Sequence, residues 1–190
     1  MRNKSSLLLI AVGFLATLGL GSPLSAHRTE AELGKMLKAP VLRNITSGKP
    51  LDLASYKGKK VVVAVFMQKN CSTTWKYYGK MGELIKNYKA KGVELIGVHS
   101  ASGETDDMML SDLQSKNLNI PLLDDKKDQS FKNLVGATCS PTFIVIDKEG
   151  KYRYFGSFDK YGSGPAYVTQ ALDQLLAGKP IKTAKTIPFG

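Results

Sequence analysis

Two thiols, Cys71 and Cys139, are the residues best suited to nucleophilic chemistry in this chain. Cys71 ends the polar stretch Gln68-Lys69-Asn70-Cys71, directly after the apolar run of residues 61–67. That run is short, β-branched and uninterrupted, which predicts a strand buried on both faces of a parallel sheet. Beyond Cys71, Met81, Leu84, Ile85 and Tyr88 recur at spacings of three, four and seven, which predicts a helix. Cys71 is therefore expected where a central strand ends and a helix begins. The unpaired N–H groups and dipole of a helix N-terminus favour an anion, so a thiol there is drawn toward thiolate, its nucleophilic form. The alternative for the same residue is a buried structural cysteine. Two cysteines are too few for a disulfide-stapled fold, which leaves a redox role or one incidental bridge.

Other polar groups carry weaker signals. His99 closes a second apolar run, at a sheet edge where α/β proteins place functional groups. It has no clustered second histidine, so a hydrogen-bonded side chain is expected there rather than a metal ligand, and no cofactor is implied. Trp75, Tyr77 and Tyr78 can rim a peptide-binding surface, with at least one of them in the core.

These groups depend on the strands, helices and turns around them. A short helical turn is expected over residues 29–38, stopped by Pro40. Residues 41–45 and 50–53 flank Thr46-Ser47-Gly48-Lys49 as a hairpin. After the Cys71 helix, Gly92 fits a C′ position, and residues 93–99 form a second buried strand. Thr105 is placed to cap a helix carrying Met108, Met109 and Leu113. Residues 120–123 form a short strand, and Asp128 is placed to cap a helix over 129–135. Residues 141–147 and 152–158 form a second hairpin around Lys148-Glu149-Gly150-Lys151. A last helix over 165–177 closes at Gly178. Strands alternating with helices, ended by a hairpin, predict an α/β domain with a mixed sheet.

The sequence has 190 residues, enough for one domain with a real core. Arg2 and Lys4, the apolar stretch 7–20 and Gly21-Ser22-Pro23-Leu24-Ser25-Ala26 have the layout of a secretory signal. The expected division is a signal peptide over 1–26 and a single domain over 27–190, periplasmic or secreted. An uncleaved membrane anchor is the rival reading. The formal charge is +11, of which Arg2 and Lys4 supply 2, leaving +9 after cleavage. The lysines are dispersed, with no basic run interleaved with aromatics, so no nucleic-acid partner is expected and no stable membrane partner after cleavage.

From about Ala39 to Pro180 the chain resembles the thioredoxin-like superfamily, in particular its exported redoxins, which include peroxiredoxin-like proteins and thiol–disulfide reductases. Gly48-Lys49-Pro50-Leu51-Asp52-Leu53 with Lys57-Gly58-Lys59-Lys60-Val61-Val62 is similar to the family's opening hairpin. Ser140-Pro141-Thr142-Phe143-Ile144-Val145-Ile146-Asp147 is similar to its cis-proline segment. The resemblance implies a thioredoxin-like fold, Cys71 as the attacking cysteine, and a cis Pro141 beside it that exposes backbone to an extended substrate. Ser140, Pro141, Thr74 and Trp75 are then the substrate-binding candidates. Thr74 would donate a hydrogen bond to the sulfur, and Lys69 would add positive potential.

The departures from the family pattern are specific. Cys71-Ser72-Thr73-Thr74 has Thr74 where the dithiol motif has its resolving cysteine. Ala64 and Gln68 replace the Pro and Thr or Ser that precede a peroxidatic cysteine. The sequence ends in Pro188-Phe189-Gly190, where some related redoxins carry a further cysteine. Cys139-Ser140-Pro141-Thr142-Phe143 resembles a cysteine-containing cis-proline loop of animal thioredoxins, so Cys139 becomes the candidate resolving thiol. The alternative for Cys139 is a small residue tolerated in a loop. Three functions stay open. One is a thiol–disulfide oxidoreductase acting on protein disulfides or thiols with Cys139 or an external thiol reductant. Another is peroxide reduction through a Cys71 sulfenic acid. The last is a non-enzymatic peptide-binding module or chaperone.

Overall fold

The computed structural model describes residues 31–190. Its strands are β1 (Leu42–Asn44), β2 (Pro50–Leu51), β3 (Val61–Phe66), β4 (Val93–His99), β5 (Leu122–Asp124), β6 (Thr142–Ile146) and β7 (Tyr152–Gly156). Its helices are α1 (Ser72–Tyr88), α2 (Asp106–Ser115), α3 (Ser130–Val135) and α4 (Tyr167–Leu176). The seven strands form one mixed sheet in the order β2-β1-β5-β4-β3-β6-β7.

Strand β3 is the axis of the molecule. It runs parallel to β4, with Val63 opposite Leu95, and antiparallel to β6, with Val63 opposite Val145. Every residue of β3 is buried. Val61, Val63, Val65 and Met67 enter one apolar cluster with Tyr77, Met81 and Leu172, while Val62, Ala64 and Phe66 enter a second cluster with Phe131 and Val135. Successive side chains of a strand point to opposite faces, so an uninterrupted apolar run is what two covered faces require. Helices α1 and α4 cover one face and α3 the other.

Several local expectations hold. Residues 42–51 form the first hairpin, and the Thr105 hydroxyl caps α2 by accepting from Met108 N at 3.2 Å. Others do not. Of the helical turn expected over 29–38, residues 29 and 30 lie outside the described residues, and the rest forms no helix but a turn at Leu33-Gly34, closed by Lys35 N donating to Glu32 O at 3.1 Å, after which Met36 bridges Lys151. Asp128 caps α3 only in part: its Oδ1 accepts from Ser130 N at 3.1 Å, but Gln129, in a left-handed conformation, holds the N-cap position. The buried Asp125 carboxylate accepts from Phe131 N and Lys132 N, each at 2.9 Å, and ties them to Ser100 Oγ at 2.9 Å. The next two N–H groups of α3 are thus taken by a residue further back along the loop, because the chain folds back on itself there. The expected signal over 1–26 lies outside the described residues. Among the described residues no helix is long and apolar enough to cross a membrane.

Candidate active site

Strand β3 delivers the chain to the site. Met67 is the last residue paired into the sheet, its N–H donating to Val98 O. The next residues are held from the other side, since the buried Glu104 carboxylate accepts from Lys69 N (2.9 Å) and Asn70 N (2.7 Å). Cys71 follows as the N-cap residue of α1, not as a residue of its first turn, with extended backbone.

The Cys71 thiol is half-buried and donates to the Ser140 carbonyl at 3.0 Å. The Ser140–Pro141 peptide is cis. The Ser140 side chain turns inward, where Oγ donates to Phe66 O at 3.0 Å and lies 3.3 Å from Thr74 Oγ1. Thr74 is fully buried. Its hydroxyl bonds Ser140 and does not face the sulfur, so the donation from Thr74 to Cys71 expected from sequence is replaced by a tie between α1 and the β6 loop. With Thr74 buried and the Ser140 hydroxyl facing inward, the Ser140 carbonyl is the group of this loop that meets the thiol.

Cys139 is half-buried, its Sγ 4.0 Å from Thr142 Oγ1, and both cysteines are free. Burial pushes the Cys139 thiol above its ordinary range, and the Cys71 side chain adds to the shift, while Thr142 opposes it. Trp75, one turn along α1, is 54% exposed, and its indole N–H donates to Lys69 O. Tyr77 and Tyr78 are both core residues: Tyr77 OH donates to the buried Asp159 at 2.8 Å and Tyr78 OH to Asp112. Burial is the main reason that both phenols are shifted upward.

His99 is fully buried, and neither ring nitrogen has a hydrogen-bond partner, contrary to expectation. Its Nε2 lies 3.5 Å from Glu104 Oε2. Burial lowers its pKa first and Lys126 second, against the raising effects of Glu104, Asp124 and Asp106. Among the described residues no group of His, Cys, Asp or Glu is arranged to hold a metal ion.

Sequence reasoning missed Glu104, which reads locally as a helix-opening acid. It also missed residues 184–190, which return to the site. Phe189 packs against Tyr77 and Tyr161, with ring centroids 6.1 and 5.0 Å away.

A cysteine capping the helix after the central strand, against a cis-proline loop, defines a thioredoxin-like redoxin. The AhpC/TSA family description matches residues 34–155, and the chain belongs to that family. It is 33% identical over 141 residues to the thiol-disulfide oxidoreductase ResA of Bacillus cereus, covering 74% of this chain and 76% of that one. The ResA of Bacillus anthracis is 32% identical over 141 residues with the same coverage. Among solved structures, a hypothetical protein from Sinorhizobium meliloti aligns with a TM-score of 0.75 at 24% identity, over 85% of this chain and 93% of that one. A Chlorobium tepidum protein described as a candidate thiol:disulfide interchange protein DsbE aligns with a TM-score of 0.60 at 26% identity, over 77% and 98%.

Proposed function

We propose that the chain is an exported thiol–disulfide oxidoreductase in which Cys71 is the attacking sulfur. The observation that carries this reading is the Cys71 thiol at the N-cap of α1, 3.0 Å from Ser140 O in the loop entering β6. The first-turn N–H groups of α1 have no acceptor within the helix and favour an anionic sulfur once the proton leaves. The Cys71 thiolate then attacks one sulfur of a substrate disulfide. A Cys71–substrate disulfide forms, and the other substrate sulfur departs as a thiolate and takes up a proton. Thr74 cannot complete the cycle, because a hydroxyl does not displace a thiol from a disulfide at neutral pH. A second thiolate, from Cys139 or an external thiol reductant, attacks the Cys71 sulfur and releases the substrate as a thiol. The substrate class is protein disulfides, in keeping with the names of the ResA relatives. Residues 1–26 are the export signal and residues 27–190 the working domain, periplasmic or secreted.

Reduction of a disulfide-bonded peptide by the full chain tests this reading, with Cys71→Ser as the control. We expect turnover in the parent and none in Cys71→Ser. Cys139→Ser should slow turnover and accumulate mixed disulfide if Cys139 resolves, and should leave turnover unchanged if an external thiol does. Mass spectrometry of the oxidised protein separates the routes: loss of two hydrogens with a Cys71–Cys139 peptide marks internal resolution. Thiols that both stay free under diamide and mild peroxide would remove the enzymatic reading.

A further inference from the structure

The segment beyond α4 is anchored and then released. Phe155 N donates to Ala184 O at 3.0 Å and Thr186 N to Phe155 O at 2.9 Å, so the segment pairs with the edge of β7. Thr186 Oγ1 accepts from Ser157 N at 3.0 Å and meets Tyr154 OH at 2.8 Å. Gly156 permits this crossing: its φ is +146°, and a Cβ there would stand 2.0 Å from Thr186 Oγ1. Past Thr186 the anchoring stops. None of the described residues 187–190 makes a hydrogen bond, and Ile187 is 85% exposed. What holds this end is Phe189, seated on Tyr77 and Tyr161.

Gly190 then lies on the backbone that faces the thiol. A Cβ on Gly190 would be 1.7 Å from Ser140 O and 3.2 Å from Ser140 N, so only glycine fits. Ser140 O is the same carbonyl that accepts from Cys71. A second polypeptide backbone cannot lie on Ser140 while Gly190 does.

We propose that residues 187–190 are a resident occupant of the substrate groove beside Cys71. The substrate that displaces them is an extended polypeptide segment with an aromatic side chain for the seat between Tyr77 and Tyr161. This rests on the function proposed above. The contacts left at this end are ring contacts, weak enough to exchange and directional enough to select an aromatic side chain.

The test is the alkylation rate of Cys71 in the full chain, read by site-resolved mass spectrometry, which needs no turnover. We expect Phe189→Ala and Gly190→Ala each to raise that rate about two- to tenfold. One removes the ring contacts and the other forces a methyl group against Ser140 O. Unchanged melting curves would show that neither acts by unfolding. A synthetic peptide of residues 184–190 added to Phe189→Ala should slow Cys71 alkylation again, and the same peptide with Ala in place of its Phe should not. Unchanged rates in both variants, or equal protection by the two peptides, would overturn the proposal. A separate failure to reduce any disulfide, with these rates behaving as expected, would count against the enzymatic function alone.

Discussion

The Cys71 thiol and the Ser140 carbonyl are joined by a 3.0 Å hydrogen bond across 69 residues of sequence. The bond uses the Ser140 backbone, so the Ser140 side chain is free to turn inward to Phe66 O and Thr74. One residue thus connects the nucleophile, the end of β3 and the first turn of α1.

Ser140→Ala should separate these roles. The carbonyl facing Cys71 remains, but Phe66 O and the buried Thr74 hydroxyl lose a partner. Leaving buried polar groups unsatisfied costs about 1–3 kcal/mol. Urea denaturation should show the lowered midpoint with an unchanged slope.

Cys139 should react slowly near neutrality. Burial is the first cause of its raised pKa, followed by the opposing Thr142 contact and the raising effect of Cys71. Its alkylation rate should keep climbing through and above pH 9, measured residue by residue with mass spectrometry. A plateau for Cys139 below pH 8 would contradict the buried environment.

Stability should fall on mild acidification because of His99. Its folded pKa lies below the ordinary 6.5, burial being the first cause and Lys126 the second. The unfolded state therefore binds the proton first. The contribution is complete above pH 6.5 and is lost as pH falls from there through the lowered folded value. Melting temperatures from pH 7.5 to 4.5 should drop less steeply in His99→Leu than in the parent.

Asp125→Ala should be among the costlier polar substitutions. The carboxylate is 1% exposed and serves Phe131 N, Lys132 N and Ser100 Oγ together. Loss of a cap and of a buried acceptor predicts about 2–4 kcal/mol, visible as a lowered thermal midpoint.

Val63→Asp tests the central strand. Val63 is 0% exposed, between Leu95 and Val145. An unpaired carboxylate there should cost several kcal/mol and leave little folded protein by circular dichroism.

The local layout was legible in the residues themselves. An apolar run at residues 61–67 has only one economical place in an α/β fold, buried on both faces, and the change of period after Cys71 marks the start of a helix. Those two patterns bring the cysteine to a strand–helix junction. The Thr105 cap was readable for the same reason, because its acceptor and donor lie within one turn. The cis-proline loop was legible through resemblance, since Ser140-Pro141-Thr142-Phe143 is a local string.

Tertiary structure alone decided what those residues touch. Nothing local to Thr74 distinguishes a hydroxyl aimed at Cys71 from one aimed at Ser140; the approach of the β6 loop chooses the second. Glu104 reads as a first-turn acid of α2, yet folding of the loop after β4 turns it onto Lys69 N and Asn70 N. Asp125 caps α3 because the chain reverses there, and Gln129 takes a left-handed conformation at the N-cap. Gly190 meets Ser140 only because Thr186 pairs with β7 and aims the last residues back across the molecule. Periodicity and capping report interactions within a few residues, whereas these contacts join segments far apart in sequence, whose meeting is set by how the sheet and helices pack.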